Sequence, residues 1–268
     1  MAKLSSSPVV LAAVAHPDDI EFCLAGTLLQ LKEAGCEIHM WNLANGCCGD
    51  LIRTREEATK VRWAESVASA SLAKAIPHPP LFDDLAIFYN QESLSAVSAV
   101  VREIRPTIIL THSPQDYMED HQNTCRLIVT AAFSRSIPNH FTTPKRPPYI
   151  DPVRIYHAAP HGLRDGVGTP FQPDLLVDIE SVLPLKRSML ASHRSQQEWL
   201  EATQGMGAYV EDMVNMARDM ARHDTSLSFA EGWRRHSHLG FCPPDYDPLT
   251  TLLPEHAVPL DNRQTTFA

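Results

Sequence analysis

Across residues 1–135, apolar and polar positions are arranged so as to predict strands and helices in turn, the pattern of a parallel sheet covered by helices. Val9 to Ala15 is an unbroken apolar run, which suits a strand buried on both faces. From Ile20 to Ala34 the period changes, with Ile20, Leu24, Leu28 and Leu31 on one helical face and Gly35 placed to end the helix. Glu37 to Ala44 reads as a second strand. Thr54 and Glu57 have the spacing of a capping box, opening a helix that presents Val61, Ala64, Ala68 and Leu72 to the core. A helix over 91–104 leads to a buried strand from Thr107 to Thr111, and another helix follows over 121–135.

Residues 138–152 are rich in proline and basic side chains and read as a connector. Strands are expected over 153–158 and 174–179, and helices over 184–201 and 208–222. In the first of these helices the period turns Leu185, Met189 and Leu190 inward, so Lys186, His193 and Gln196 fit salt-bridging or surface groups and read as structural. His236 and His238 alternate as in a strand. The proline-rich tail beyond Pro243 is expected to lie over the surface. There is no internal repeat. The fold class is therefore α/β, a Rossmann-like doubly wound and mainly parallel sheet with helices on both faces. One domain spans 1–268, with its core at about 8–200 and a C-terminal helix and tail at about 201–268. Ligands in such a sheet gather where strands end and helices begin, which directs attention to the residues after Ala15, Ala44 and Thr111.

Composition narrows the partners. A formal charge of −9 and a pI near 5.8 argue against nucleic acid and anionic membranes, which both reward a basic face. With 44% apolar residues the chain can fill a sizeable core. Residues 1–15 imitate a short signal peptide, but the apolar stretch is short and cleavage after Ala15 would remove the strand feeding the richest polar motif. No other run approaches the roughly 18 residues needed to span a bilayer, so a soluble cytoplasmic protein is expected. Six cysteines in a chain of this size do not make a disulfide scaffold and read as reduced thiols.

Two polar segments stand at the expected strand ends. His16-Pro17-Asp18-Asp19 follows the first strand, and Asp120-His121 closes the segment after Thr111. Zinc accepts imidazole nitrogen and carboxylate oxygen, and a catalytic site uses three such ligands while leaving a position for water. His16 and Asp19, three apart on the turn into a helix, can converge on one metal, and His121 can supply the third ligand. Asp18 is left beside the metal without a ligand role, where a general base belongs. Attack of activated water on an amide carbonyl would then need one further donor for the oxyanion. The plainer alternatives are helix N-caps at Asp18 or Asp19 and a surface histidine at His121.

The segment Ala15-His16-Pro17-Asp18-Asp19-Ile20-Glu21, followed by Ala25-Gly26-Thr27-Leu28, resembles the signature of the PIG-L/LmbE-like zinc deacetylases. The resemblance continues through Asn45-Gly46, Arg55-Glu56, Arg62 with Glu65, Ser113-Pro114, Asp120-His121, and Lys186 with His193-Arg194-Ser195-Gln196. It implies His16, Asp19 and His121 as ligands, Asp18 as base and Asp120 as the group orienting a neighbouring imidazole. Arg55 and Arg62 both fall where relatives keep a substrate-binding arginine, and Arg55 is favoured. One departure stands out: many relatives carry His-Pro-Asp-His where this chain has Met118-Glu119-Asp120-His121. Methionine can neither protonate a leaving amine nor stabilise an oxyanion. His112, His157, His161 and Tyr117 are the candidates for the missing function.

The implied activity is removal of acetyl from an N-acetylglucosamine-like compound or glycoside, a small molecule. The alternatives are a non-sugar amide as substrate, or a non-catalytic homologue that binds a sugar or metal. The implied cofactor is Zn2+, although a His-His-Asp set also binds iron, manganese or cobalt. Relatives often form trimers or hexamers, so the resemblance brings the expectation of a homo-oligomer. A dinucleotide-binding reading fails, because no GxGxxG follows the first strand and carboxylates stand where a pyrophosphate would sit.

Overall fold

The structure is a computed structural model and describes residues 7–205 and 208–260. In chain order its strands are β1 (Val9–Val14), β2 (Glu37–Asn42), β3 (Ile76–His78), β4 (Ile108–Thr111), β5 (Arg154–Ala158), β6 (Leu175–Asp178), β7 (Ala230–Arg235) and β8 (Ala257–Pro259). Its helices are α1 (Asp19–Cys23), α2 (Ala25–Glu33), α3 (Arg55–Leu72), α4 (Gln91–Ile104), α5 (Glu119–Phe133), α6 (Leu183–Leu190), α7 (Arg194–Gln204), α8 (Tyr209–Ala221) and α9 (Pro248–Leu252). The strands form one eight-stranded sheet in the order β3-β2-β1-β4-β5-β7-β6-β8. From β3 to β5 all pairings are parallel, and those linking β5, β7, β6 and β8 are antiparallel. The sheet is thus mixed, with its doubly wound half at the N-terminal side.

β1 shows why the sheet needs cover on both sides. Val10, Ala12 and Val14 pack with Leu28 of α2, Met189 of α6 and Met213 of α8. Leu11 and Ala13 face the other way, against Val97 of α4 and Leu127 and Ile128 of α5. A strand enclosed on both faces has no position for a polar residue, hence the unbroken apolar run.

Several elements differ from the sequence reading. The helix expected from Ile20 to Ala34 is broken at Leu24, whose φ of −146° and ψ of 0° leave the helical region. There the backbone N–H groups of Gly26 and Thr27 donate to Glu231 of β7, at 2.8 and 2.7 Å. A Cβ on Gly26 would lie 2.5 Å from Ile179 and 2.8 Å from the Glu231 carboxylate, so only glycine fits this approach. The helix expected over 184–201 is likewise two helices, parted at residues 191–193. Its inner face also differs: Lys186 and His193 are buried while Leu185 is partly exposed. Lys186 turns inward because Glu231 waits there, 2.6 Å from its ammonium. Nor does the tail only drape over the surface, for α9 buries Leu249 and β8 pairs with β6.

α3 begins as expected. The Glu57 N–H donates to the Thr54 hydroxyl at 3.3 Å, and the Thr54 N–H to the Glu57 carboxylate at 2.9 Å. Its inward face is nevertheless not the apolar stripe. Ala58, Arg62, Ser66, Ser69 and Ala70 are buried, whereas Ala64, Ala68 and Leu72 are exposed. Among the described residues no helix is long and apolar enough to cross a membrane.

Candidate active site

β1 lies between β2 and β4, so the chain leaves its C-terminal end at the point where strand order reverses. The turn after β1 carries His16, Asp18 and Asp19, the loop from β4 into α5 carries His112, Asp116 and Tyr117, and the first turn of α5 carries His121. One ligand atom from each of His16, Asp19 and His121 lies within 4.8 Å of the others. His16 Nδ1 is 3.5 Å and His121 Nε2 3.4 Å from the same oxygen, Oδ2 of Asp19. The far side of each imidazole is anchored on a carboxylate. His16 Nε2 donates to Asp120 at 3.1 Å, and His121 Nδ1 donates to Asp116 at 3.0 Å. An imidazole with one nitrogen held by a carboxylate and the other turned towards a shared point is the arrangement found around bound zinc.

The local field favours a cation at that point. Burial alone would lower both imidazoles, but Asp120 and Asp19 lift His16 to about 10, and Asp19 and Asp116 lift His121. Asp19 is drawn well below the usual carboxylate range, its histidine neighbours outweighing its burial. A divalent ion would satisfy the same demand, so the donor set fits the metal implied by the motif.

Asp18 is not a helix cap: its side chain makes no capping hydrogen bond, and its φ of 100° is unusual for a residue with a side chain. Instead the carboxylate is turned into the site, where it accepts from the Tyr209 hydroxyl of α8 and lies 3.7 Å from Arg62. Burial raises it to about 6; Asp19 adds to the rise, while Arg62, His193 and the Tyr209 hydrogen bond oppose it.

Arg55 and Arg62 part company. Arg55 is exposed and pairs with Asp83 at 2.9 Å, outside the cavity. Arg62 is buried in the cavity wall, donating to the Pro17 carbonyl at 2.7 Å and to Gln196. Gly46, at a φ of +75°, passes so close that a Cβ would lie 2.7 Å from the Arg62 Nε. The later motif residues gather on the same face of α3, with Ser195 donating to Glu65 at 2.9 and 2.6 Å.

The four candidates for the role lost at Met118 also separate. His157 does not line the cavity: its Nδ1 donates to the His112 carbonyl at 2.8 Å and its Nε2 is 2.9 Å from His236. Its place within the sheet, one strand behind the site, is the physical reason it cannot serve. His112 lines the cavity, but its Nε2 accepts the Ala15 N–H at 2.9 Å and cannot also donate. His161 and Tyr117 both face the cavity, and the Tyr117 ring lies 5.4 Å from that of His121. Asp116 and Tyr209 were not foreseen. Asp116 lies within two turns of His121 and was accessible as a nearby carboxylate; Tyr209 comes from a distant helix and left no signal. Asp116→Ala is expected to weaken metal binding about 10–100-fold with the fold intact, measured by competition with a chromogenic chelator.

Residues 11–132 match the family model described as PIG-L: GlcNAc-PI de-N-acetylase. That segment of the chain is similar to the PIG-L family. De-N-acetylation, the activity in that description, is hydrolysis of an amide C–N bond. Among curated proteins, the chain is 24% identical over 266 residues to 1D-myo-inositol 2-acetamido-2-deoxy-alpha-D-glucopyranoside deacetylase 1 of Saccharopolyspora erythraea, covering 74% of this chain and 81% of that one. Among solved structures, N,N'-diacetylchitobiose deacetylase from Pyrococcus horikoshii superposes with a TM-score of 0.72 at 21% identity, over 91% of this chain and 89% of that one. GalB, the 4-carboxy-2-hydroxymuconate hydratase of Pseudomonas putida KT2440, superposes with a TM-score of 0.69 at 20% identity, over 85% and 95%. This fold is therefore shared by a deacetylase and a hydratase, and the fold alone does not choose between chemistries.

Proposed function

We propose that this chain is a metal-dependent N-deacetylase of a small N-acetylated amino sugar or related amide. The observation that carries the reading is the convergence of His16, Asp19 and His121 on one point, with the Asp18 carboxylate beside it and free of both ligand and capping duty. A divalent ion held by those three side chains, zinc in the first instance, would supply a Lewis acid that polarises the amide carbonyl and lowers the pKa of water. Asp18 takes the proton from the attacking water, and Tyr209 and Arg62 hold its carboxylate in place. Asp120 and Asp116 fix the orientation of His16 and His121. His161 and Tyr117 are the cavity groups able to donate to the oxyanion or the departing amine where Met118 cannot.

Metal-loaded protein incubated with a panel of N-acetylglucosaminyl compounds is expected to release acetate, to stop on chelation and to recover on adding zinc. Retained metal with no product from any acyl amide over prolonged incubation would overturn the reading in favour of a non-catalytic binding homologue, the alternative that Met118 supports.

A further inference from the structure

The cavity in front of the metal ligands has a volume of about 420 Å³, within the range of small-molecule sites. Its polar groups are largely spent on one another. Asp18 is taken by Tyr209, Arg62 by Pro17 and Gln196, and Asp116 by His121. Both oxygens of Asp84 accept backbone N–H groups, from Gly46 at 2.7 Å and Cys48 at 2.8 Å. A bare sugar, with a hydroxyl on almost every carbon, would find few free partners there. Apart from His161 and Tyr117, much of what lines the rest of the space is apolar: Phe22, Leu85, Met118, Trp199 and Leu200.

The apolar surface also continues outwards. Leu85 is 71% exposed and held at a φ of 61°, a conformation that leucine adopts only at a cost. Its backbone N–H is fixed at 2.7 Å by Asp120, the same carboxylate that orients His16, so the strained leucine is built into the site's own scaffold. Leu51 and Ile52, the latter 94% exposed, stand on the loop that follows the cavity residues Cys48 and Gly49. Val167, 90% exposed, follows Gly166, which packs against the backbone of Asp116 and Tyr117. Leu85 thus presents an aliphatic side chain to water at the cavity, and loops that continue from or pack on other cavity residues expose Leu51, Ile52 and Val167, where solubility alone would favour polar ones.

We propose that the cavity and its rim form an apolar subsite, and that the substrate carries an aliphatic or aromatic group next to the scissile amide, as a long acyl chain or on the amine side. This rests on the amide-hydrolase reading for its reaction but not for its binding. Each methylene buried there should improve affinity about fourfold, the equivalent of about 0.8 kcal/mol.

Two series of compounds test it. In one, glucosamine carries acetyl, butyryl, hexanoyl or octanoyl on nitrogen; in the other, N-acetylglucosamine carries methyl, butyl or octyl as its glycoside. Affinity is measured by titration calorimetry with EDTA present, which prevents turnover, and kcat/KM with the metal-loaded protein. A gain of at least tenfold from acetyl to hexanoyl supports the subsite and places the apolar group on the acyl side. The same gain confined to the glycosides supports it with the group on the amine side. Leu85→Ser and Trp199→Ser should each shrink the ratio of long to short compounds. Affinity that is flat or falling along both series overturns the subsite, while acetate release would leave the deacetylase reading standing. Rising affinity without hydrolysis of any compound would keep the subsite and overturn the reaction.

Discussion

Asp18→Asn is expected to lower kcat for amide hydrolysis by about 10²- to 10⁴-fold, the usual worth of a positioned general base, while bound metal stays near one per chain. The asparagine keeps the size of the side chain and an oxygen for the Tyr209 hydroxyl but cannot take a proton. Its position supports a role in the reaction rather than in folding. A residue with φ near 100° in a buried turn costs stability unless its neighbours dictate it, and here Tyr209 and Arg62 grip the carboxylate from two sides. The helix that follows gains nothing from the side chain as a cap. Removal should therefore leave thermal stability little changed or raised, a second readout separating chemistry from structure. Activity within a few-fold of the unaltered protein would mean that another group takes the proton, and the assignment would fall.

Much of the site is written in short range. His16, Asp18 and Asp19 sit on one turn at a strand end, and an apolar run followed by such a turn is enough to place them. His121 was equally legible, because the α5 start is fixed by the strand before it. What sequence periodicity misread was any face buried against polar groups. α3 carries an apolar stripe at Ala64, Ala68 and Leu72, yet it turns Arg62, Ser66 and Ser69 inward, since Pro17 and Gln196, Asn42, and Glu21, their respective partners, lie there. A stripe of small apolar residues gains little from burial, whereas a guanidinium bound to a buried carbonyl and a glutamine side chain fixes the helix rotation. The burial of Lys186 and His193 escaped the spacing for the same reason, although their ion-pairing did not. His193 Nε2 lies 3.3 Å from Glu21, and both side chains are fully buried. Their partners come from elements far away in the chain, and spacing within a helix carries no trace of them.

Lys186 leads to the second large effect. Glu231→Ala is expected to cost about 3–5 kcal/mol in equilibrium unfolding by urea, the range for removing one partner of a buried ion pair. Lys186 and Glu231 side chains are 1% and 3% exposed, so the ammonium left behind could not reach water without opening the fold. The same carboxylate accepts from Gly26 and Thr27 in the first turn of α2, 205 and 204 residues away in sequence. Those are N–H groups that a helix start cannot satisfy internally, so the change also strips a cap supplied from across the sheet. Replacing both partners, as Lys186→Met with Glu231→Met, should recover much of the loss by removing the stranded charge, though the two backbone donors would stay unmet. The order of stabilities is therefore expected to be unaltered protein, then double variant, then Glu231→Ala. A double variant no more stable than the single one would show that the cost lies in the helix start rather than in the buried lysine.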